Sequence, residues 1–78
     1  MAVTNRLKNI REQYHMNQED LAAGTGAARE SIGRYERGER NPSLEMALRL
    51  AAYLQLSVEE LFQLDEDSLA AIHIPERQ

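Results

Sequence analysis

The stretch that decides the fold is Asn17–Arg37, "NQEDLAAGTGAARESIGRYER". Asn17 is a favourable N-cap, and Asp20 lies three residues later in the capping-box position, so a helix is predicted to begin here. The "GTG" at 24–26 ends this helix after about two turns, because glycine favours turns over helix interiors. A second helix is expected from about Arg29 to Arg37. The stretch therefore predicts a helix-turn-helix at about 17–37.

The flanking sequence also has helical periodicity. No run alternates β-branched and aromatic residues in the manner that predicts a strand. One helix is expected over about Asn5–Tyr14 before the motif, a fourth after the N-cap Ser43, and a short fifth after Ser57, which forms a capping box with Glu60. The stripe expected to face inward on the fourth helix consists of Leu44, Ala47, Leu48, Ala51 and Leu54.

These elements predict an all-α fold of five short helices. The helix-turn-helix domain is expected over residues 1–64. Residues 65–78 are expected to form a short acidic and apolar C-terminal tail that becomes ordered on dimerisation.

The composition of the chain limits the classes of protein to which it can belong. The 78 residues suffice for one small domain, and the hydrophobic share of 42% suits a globular chain. No apolar run approaches the roughly 20 residues of a membrane span. The sequence contains no cysteine, and a cytoplasmic location is expected. The two histidines, His15 and His73, are isolated, and no nucleophile has a neighbouring base, so neither a metal site nor an enzyme is expected.

Charge is divided unevenly along the chain. Residues 1–41 contain seven basic and six acidic side chains, a net charge of +1, whereas residues 42–78 contain two and seven, a net charge of -5. The first half is therefore the half that can approach a polyanion, and the acidic second half is expected to face away from it.

The second helix of the motif has one apolar and one charged side. Ile32 and Tyr35 are expected to point inward. The opposite side then carries two arginines and a carboxylate, and arginine can bond bidentately to a guanine edge in the major groove. This pattern leaves Arg29, Glu30, Gly33 and Arg34 on the outward side of a short helix that fits the DNA major groove.

Three blocks carry a family resemblance: "NQEDLA" (17–22), "RYERGERNPS" (34–43) and "SVEELF" (57–62). In this order and spacing they resemble the Cro/lambda-repressor type of helix-turn-helix regulator, the XRE family. The resemblance spans about Asn5 to Phe62. It implies a lambda-repressor-like domain that binds double-stranded DNA sequence-specifically to regulate transcription.

The resemblance implies base-facing positions for Arg29, Glu30 and Arg34, and close approach of the backbone to the groove at Gly33. It also implies roles for other residues. It implies a buried ion pair between Arg11 and Glu36, and a bracing contact from Gln18 to the first residue of the recognition helix. Ala28 stands where the family usually has a capping side chain, and His15 where it often has glycine. The residues expected to contact DNA phosphates are Asn17, Gln18, Arg37, Arg40 and Asn41.

A domain of this size cannot bury enough surface on one half-site for high specificity, so a homodimer on a palindromic operator is expected. The apolar residues expected at its dimer interface are Leu56, Val58, Leu61 and Leu64. The partners are then DNA, a second copy and RNA polymerase, and no cofactor or small-molecule effector is expected. The alternative is an antitoxin-type repressor whose C-terminal arm, 65–78, binds a toxin.

Overall fold

The structure, a computed structural model, describes residues 2–73 and Pro75. The described part is mostly helical, which confirms the predicted fold class, and it adds a small two-stranded sheet and a sixth helix. The elements are, in chain order, β1 (Val3–Asn5), α1 (Leu7–Gln13), α2 (Gln18–Thr25), α3 (Arg29–Glu36), α4 (Leu44–Leu54), α5 (Val58–Leu61), β2 (Phe62–Leu64) and α6 (Glu66–Ala70).

The helix starts follow the predicted capping signals. Asn17 Oδ1 accepts from the Asp20 backbone N–H at 2.7 Å, and the Asp20 carboxylate accepts in return from the Asn17 N–H at 3.0 Å. Ser57 and Glu60 form the same reciprocal pair at the start of α5. Each box pairs N–H groups that the helix itself leaves without partners, which is why these boundaries were readable from the sequence.

The sheet joins the two ends of the domain. β1 and β2 are antiparallel, with Val3 opposite Leu64 and Asn5 opposite Phe62. A backbone hydrogen bond from Asp65 N to Ala2 O, 2.8 Å long, continues the pairing beyond the strands. The sequence did not predict these strands, because three residues are too few to show an alternating pattern.

The core lies between α1, α2, α3, α4 and α5. Its largest side chains are fully enclosed, and half-buried residues such as Met16 and Phe62 pack around them. The fully buried side chains are Leu7, Leu21, Ile32, Leu50, Leu54 and Leu61.

The predicted inward face of α4 is partly wrong. Leu44 and Leu48 are exposed, at 74% and 54%, whereas Leu50, which was not predicted to face inward, is fully buried. α4 has leucine on more than one side, so its own amphipathicity allowed two neighbouring faces, and packing against α2 selected one of them. The buried stripe consists of Ala47, Leu50, Ala51 and Leu54.

The predicted dimer interface also needs correction. Leu61 is fully buried, so it is a core residue and cannot meet a second copy. Leu56 and Val58 are half-buried and pack against the core. α5 is a single turn, and one turn that docks on the core turns its apolar side chains inward. Of the four predicted residues, only Leu64 is substantially exposed, at 44%.

Residues beyond β2 are partly helical. Asp65 caps α6 by accepting from the Ser68 N–H at 2.7 Å. Of the predicted tail 65–78, residues 74 and 76–78 lie outside the described part. Every helix within the described part falls short of the length and apolarity needed to cross a bilayer.

Candidate nucleic-acid interface

The turn between α2 and α3 sets the orientation of α3. Gly26 ends α2 with a φ of +79°, a conformation that glycine adopts without a steric penalty. Ala22 is buried at the contact between the two helices. Ile32 and Tyr35 turn inward, as predicted, so the charged side of α3 faces away from the core.

The exposed side of α3 forms a shallow concavity of about 320 Å³. It brings together all four residues predicted to face the bases and two of those predicted to contact phosphates. Arg40 and Asn41 are exposed in the loop between α3 and α4, outside the concavity, and Asn17 lies in an adjoining hollow. The lining residues are Gln18, Arg29, Glu30, Gly33, Arg34 and Arg37.

Gly33 forms the floor of the concavity and is buried. A Cβ at this position would lie 3.1 Å from Arg37 Nη1 and 3.6 Å from Gln18 Nε2. The missing side chain therefore makes room for two polar groups that extend over α3. The sequence prediction placed Gly33 on this side of the helix but did not foresee that other side chains would cover it.

A nearly enclosed ion pair anchors α3 to the rest of the domain. Arg11 Nε donates to Glu36 Oε2 at 2.6 Å, and the two side chains are only 11% and 4% exposed. Arg11 Nη1 also donates to the Met16 carbonyl at 2.9 Å. The hydrogen bond to Glu36 raises the pKa of the Arg11 guanidinium above its ordinary value. The Arg11 guanidinium stays charged, and its hydrogen bonds to Glu36 tie α1 to the last residue of α3.

Gln18 joins this network from α2. Its Nε2 donates to Glu36 Oε1 at 3.0 Å. The expected bracing contact to the first residue of the recognition helix is therefore wrong, since Gln18 bonds to the last residue of α3. The Gln18 side chain lines the concavity, and its hydrogen bond to Glu36 holds the amide beside the ion pair.

Glu39 was not identified from the sequence, and it contacts a residue of the concavity. Its carboxylate accepts a short hydrogen bond from Arg37 Nε, with Nη2 at 3.5 Å from the second oxygen. This hydrogen bond raises the pKa of Arg37 and lowers the pKa of Glu39. The residues are two apart in a loop, where no helical periodicity signals a contact.

Glu30 has a different setting. Among the described residues, no ion pair within 4 Å joins it to Arg34, although the two are spaced as helix neighbours. Both side chains are exposed on the outer side of α3. The Glu30 carboxylate is therefore available as a hydrogen-bond acceptor on a surface that otherwise donates.

The described residues contain no group of three or more histidine, cysteine or acidic side chains placed to hold a metal ion. The chemistry of the concavity is that of guanidinium and amide donors with one carboxylate acceptor. Such a set matches the acceptor-rich edges and phosphates of nucleic acid.

Comparison with known proteins also points to a nucleic-acid-binding protein. A helix-turn-helix family model matches residues 7–61. An uncharacterised HTH-type transcriptional regulator from Archaeoglobus fulgidus is 39% identical over 64 residues, covering 82% of this chain and 90% of the relative. The restriction-modification controller protein C.AhdI from Aeromonas hydrophila is 40% identical with a TM-score of 0.67, covering 70% of this chain and 83% of that one.

The P22 c2 repressor, solved in complex with a synthetic operator, is 30% identical with a TM-score of 0.67, and the match covers 69% of this chain and 82% of the repressor chain. The chain therefore belongs to the helix-turn-helix family of Cro/lambda-repressor (XRE) type, whose members are DNA-binding transcriptional regulators.

Proposed function

We propose that this regulator is a repressor that binds a palindromic operator as a homodimer, with α3 in the major groove of each half-site. The observation that carries the proposal is the concavity on α3, where three arginines, one carboxylate and the Gln18 amide converge around Gly33. The missing side chain at Gly33 makes room for Arg37 and Gln18 to lie close against α3.

The base contacts are assigned to the middle and start of α3. Arg29 and Arg34 are placed to donate to guanine O6 and N7. Glu30 accepts from a cytosine N4 amino group, the donor that a base edge offers to a carboxylate. Gly33 was predicted to let the backbone approach the bases, but the side chains of Gln18 and Arg37 cover it, so its role is to make room for them. Together Arg29, Glu30 and Arg34 favour a half-site rich in G·C pairs.

The phosphate contacts are assigned to the edges of this surface. Asn17 and Gln18 begin α2, whose N–H groups and dipole favour a phosphate. Arg40 and Asn41 are exposed in the loop after α3. Contacts of this kind fix the orientation of the protein without reading sequence. Gln18 and Arg37 also line the concavity, and Arg37 lies over Gly33 near its centre.

Two-fold symmetry is expected because one small domain buries little DNA surface by itself. The apolar surface that suits a second copy is the hollow of about 370 Å³ beside β2 and α6, which Phe62, Leu64 and Leu69 line. Leu64 and Leu69 are 44% and 55% exposed. This hollow replaces the dimer interface predicted from the sequence.

Repression would follow from occlusion of a promoter, and a dimer at an adjacent site could instead contact RNA polymerase. The resemblance to the operator-bound P22 c2 repressor supports the first mode. The proposed role includes no catalysis, cofactor or small-molecule effector. It places the protein in the cytoplasm, where archaea and bacteria such as those of the relatives keep their DNA.

In vitro selection of bound duplexes from a random pool tests this proposal. The expected product is a two-fold-symmetric, G·C-rich site with half-site centres about 10 base pairs apart. Random sequence after several rounds of selection, from protein that is folded by circular dichroism, would refute sequence-specific binding.

The selected site then tests Glu30. Glu30→Gln removes a charge that phosphates repel and substitutes a side chain suited to adenine, so it should tighten binding to random DNA. It should also lose a cytosine preference at one position per half-site, about 1–3 kcal/mol. Titration of single-base variants measures both effects. An unchanged base preference at every position would show that Glu30 does not read DNA.

A further inference from the structure

The Arg37 side chain extends back over α3 instead of outward along the loop. A Cβ on Gly33 would lie 3.1 Å from its Nη1 and 3.8 Å from its Cζ. The guanidinium therefore lies over the centre of the concavity, among the residues assigned to base contacts. Arg40, three residues later, is outside this surface.

Glu39 holds Arg37 in this position. Its carboxylate bonds to Nε and approaches Nη2, so it occupies one edge of the planar guanidinium. Nη1 and the outer N–H of Nη2 remain as a parallel pair of donors at the end of the side chain. Guanine O6 and N7 accept from such a pair, because their spacing matches the guanidinium fork.

The Glu39 carboxylate also disfavours the competing contact. A phosphate that approached Arg37 would come close to a negative charge already bonded to that arginine, and the two anions repel each other. A guanine edge has acceptors but no net charge, so the same carboxylate repels it much less. The ion pair thus makes Arg37 a weaker ligand for phosphate than for a base.

We propose that Glu39 is a positioning residue for specificity: it holds Arg37 over Gly33 so that Arg37 reads a guanine and is kept from the phosphates. This inference rests on the proposed function and reverses the phosphate role that family resemblance implies for Arg37. It also gives a role to Glu39, a second carboxylate that contacts a residue of this surface.

The test compares binding titrations of the full chain with the selected duplex, its single-base variants and random duplex, over a range of salt concentrations. Arg37→Ala should reduce preference about tenfold at one guanine per half-site and leave the other positions unchanged. Glu39→Gln frees Arg37 to reach a phosphate. It should weaken the same guanine preference, tighten binding to random duplex and steepen the salt dependence by about one phosphate contact.

Glu45→Gln is the matched control. Glu45 is also exposed and paired with an arginine, Arg49, at 2.8 Å, but neither residue lines the concavity. The substitution changes the net charge equally, so any effect of charge alone appears in both variants. It should leave base preference and salt slope as in the wild type.

Two results would overturn the inference. One is that Arg37→Ala weakens all duplexes equally and lowers the salt slope by about 1, as loss of a phosphate contact would. The other is that Glu39→Gln behaves like Glu45→Gln. Under either result, the proposed function still stands if the wild type prefers its selected site over random duplex. A wild type without sequence preference would refute the proposed function and this inference together.

Discussion

At the scale of single residues, the start of α3 lacks a capping side chain. Ala28 has the extended backbone of an N-cap, with φ -77° and ψ 144°, but no side-chain hydrogen bond. Ala28→Ser supplies an acceptor for an unpaired N–H of the first turn. It should raise the free energy of unfolding by about 0.5–1.5 kcal/mol in urea titrations.

Ala23→Ser is the control for this substitution. Ala23 is exposed within α2, where serine has a lower helix propensity than alanine and no capping geometry, so stability should fall slightly. If Ala28→Ser is no more stable than the wild type, the missing capping side chain at position 28 does not lower the stability of the domain.

The anchor of α3 is the second feature at this scale. Glu36→Gln removes the charge that compensates Arg11 where both side chains are nearly enclosed. The substitution should lower the free energy of unfolding by about 3–5 kcal/mol, because an uncompensated charge remains buried. Thermal and urea unfolding measure the change.

Glu45→Gln breaks an exposed ion pair with Arg49 and should change stability little, because solvent screens such pairs. If Glu36→Gln and Glu45→Gln destabilised the protein equally, burial would not be what gives the Arg11–Glu36 pair its importance.

At the scale of elements, the starts of α5 and α6 are each stabilised by a carboxylate that accepts a backbone hydrogen bond, Glu60 in the first turn of α5 and Asp65 at the N-cap of α6. The Ser57 N–H lowers the pKa of Glu60 below its ordinary 4.5, and the Ser68 N–H lowers the pKa of Asp65 below 3.8. Both pKa values are thus lower folded than unfolded. Their stabilisation is complete above the unfolded values and is lost as pH falls through the folded ones.

For the wild type, the urea concentration at which half of the protein is unfolded should therefore be lower at pH 3 than at pH 6. In the double variant Glu60→Gln, Asp65→Asn, both positions keep an oxygen that accepts the same hydrogen bonds but can no longer titrate. Its midpoint should fall less over the same pH range. Equal losses in the two proteins would assign the acid sensitivity to other carboxylates.

At the scale of the whole molecule, the proposed DNA-contacting surface and the apolar hollow lie in different parts of the chain. The concavity uses residues from the half with net charge +1, and the hollow beside α6 belongs to the half with net charge -5. The phosphates of DNA repel an acidic surface, so this half is expected to face away from the DNA. The proposed dimerisation and the proposed DNA contacts can therefore be tested by separate substitutions.

Leu69→Asp should test this separation. Leu69 is 55% exposed, so the change removes little core packing, but it places a charge in the proposed dimer surface. The variant should be folded and monomeric by light scattering at tens of micromolar protein, and should bind the full operator more weakly than the wild type does.

Leu48→Asp serves as the comparison, since Leu48 is 54% exposed on the outer side of α4. It should remain dimeric. If Leu48→Asp became the monomer and Leu69→Asp did not, the dimer surface would lie on α4.

The sequence by itself determined the helix-turn-helix and most helix starts. The Asn17–Asp20 and Ser57–Glu60 boxes and the Gly26 turn depend on contacts within about one helical turn, so the residues that define them are neighbours in the sequence. The arginines of α3 were placed on its outer side for the same reason, because Ile32 and Tyr35 fix the rotation of that helix.

Tertiary structure alone decided the features that depend on distant partners. The β1–β2 pairing joins residues about sixty positions apart. On α4, Leu50 is buried whereas Leu44 and Leu48 are exposed, and on α5 Leu61 is buried. Both outcomes depend on which helices pack against α4 and α5. The position of Arg37 over Gly33 depends on where the loop holds Glu39. Local sequence patterns leave several possible strand pairings, buried helix faces and side-chain positions. The energy of packing and pairing across the whole fold selects one of them.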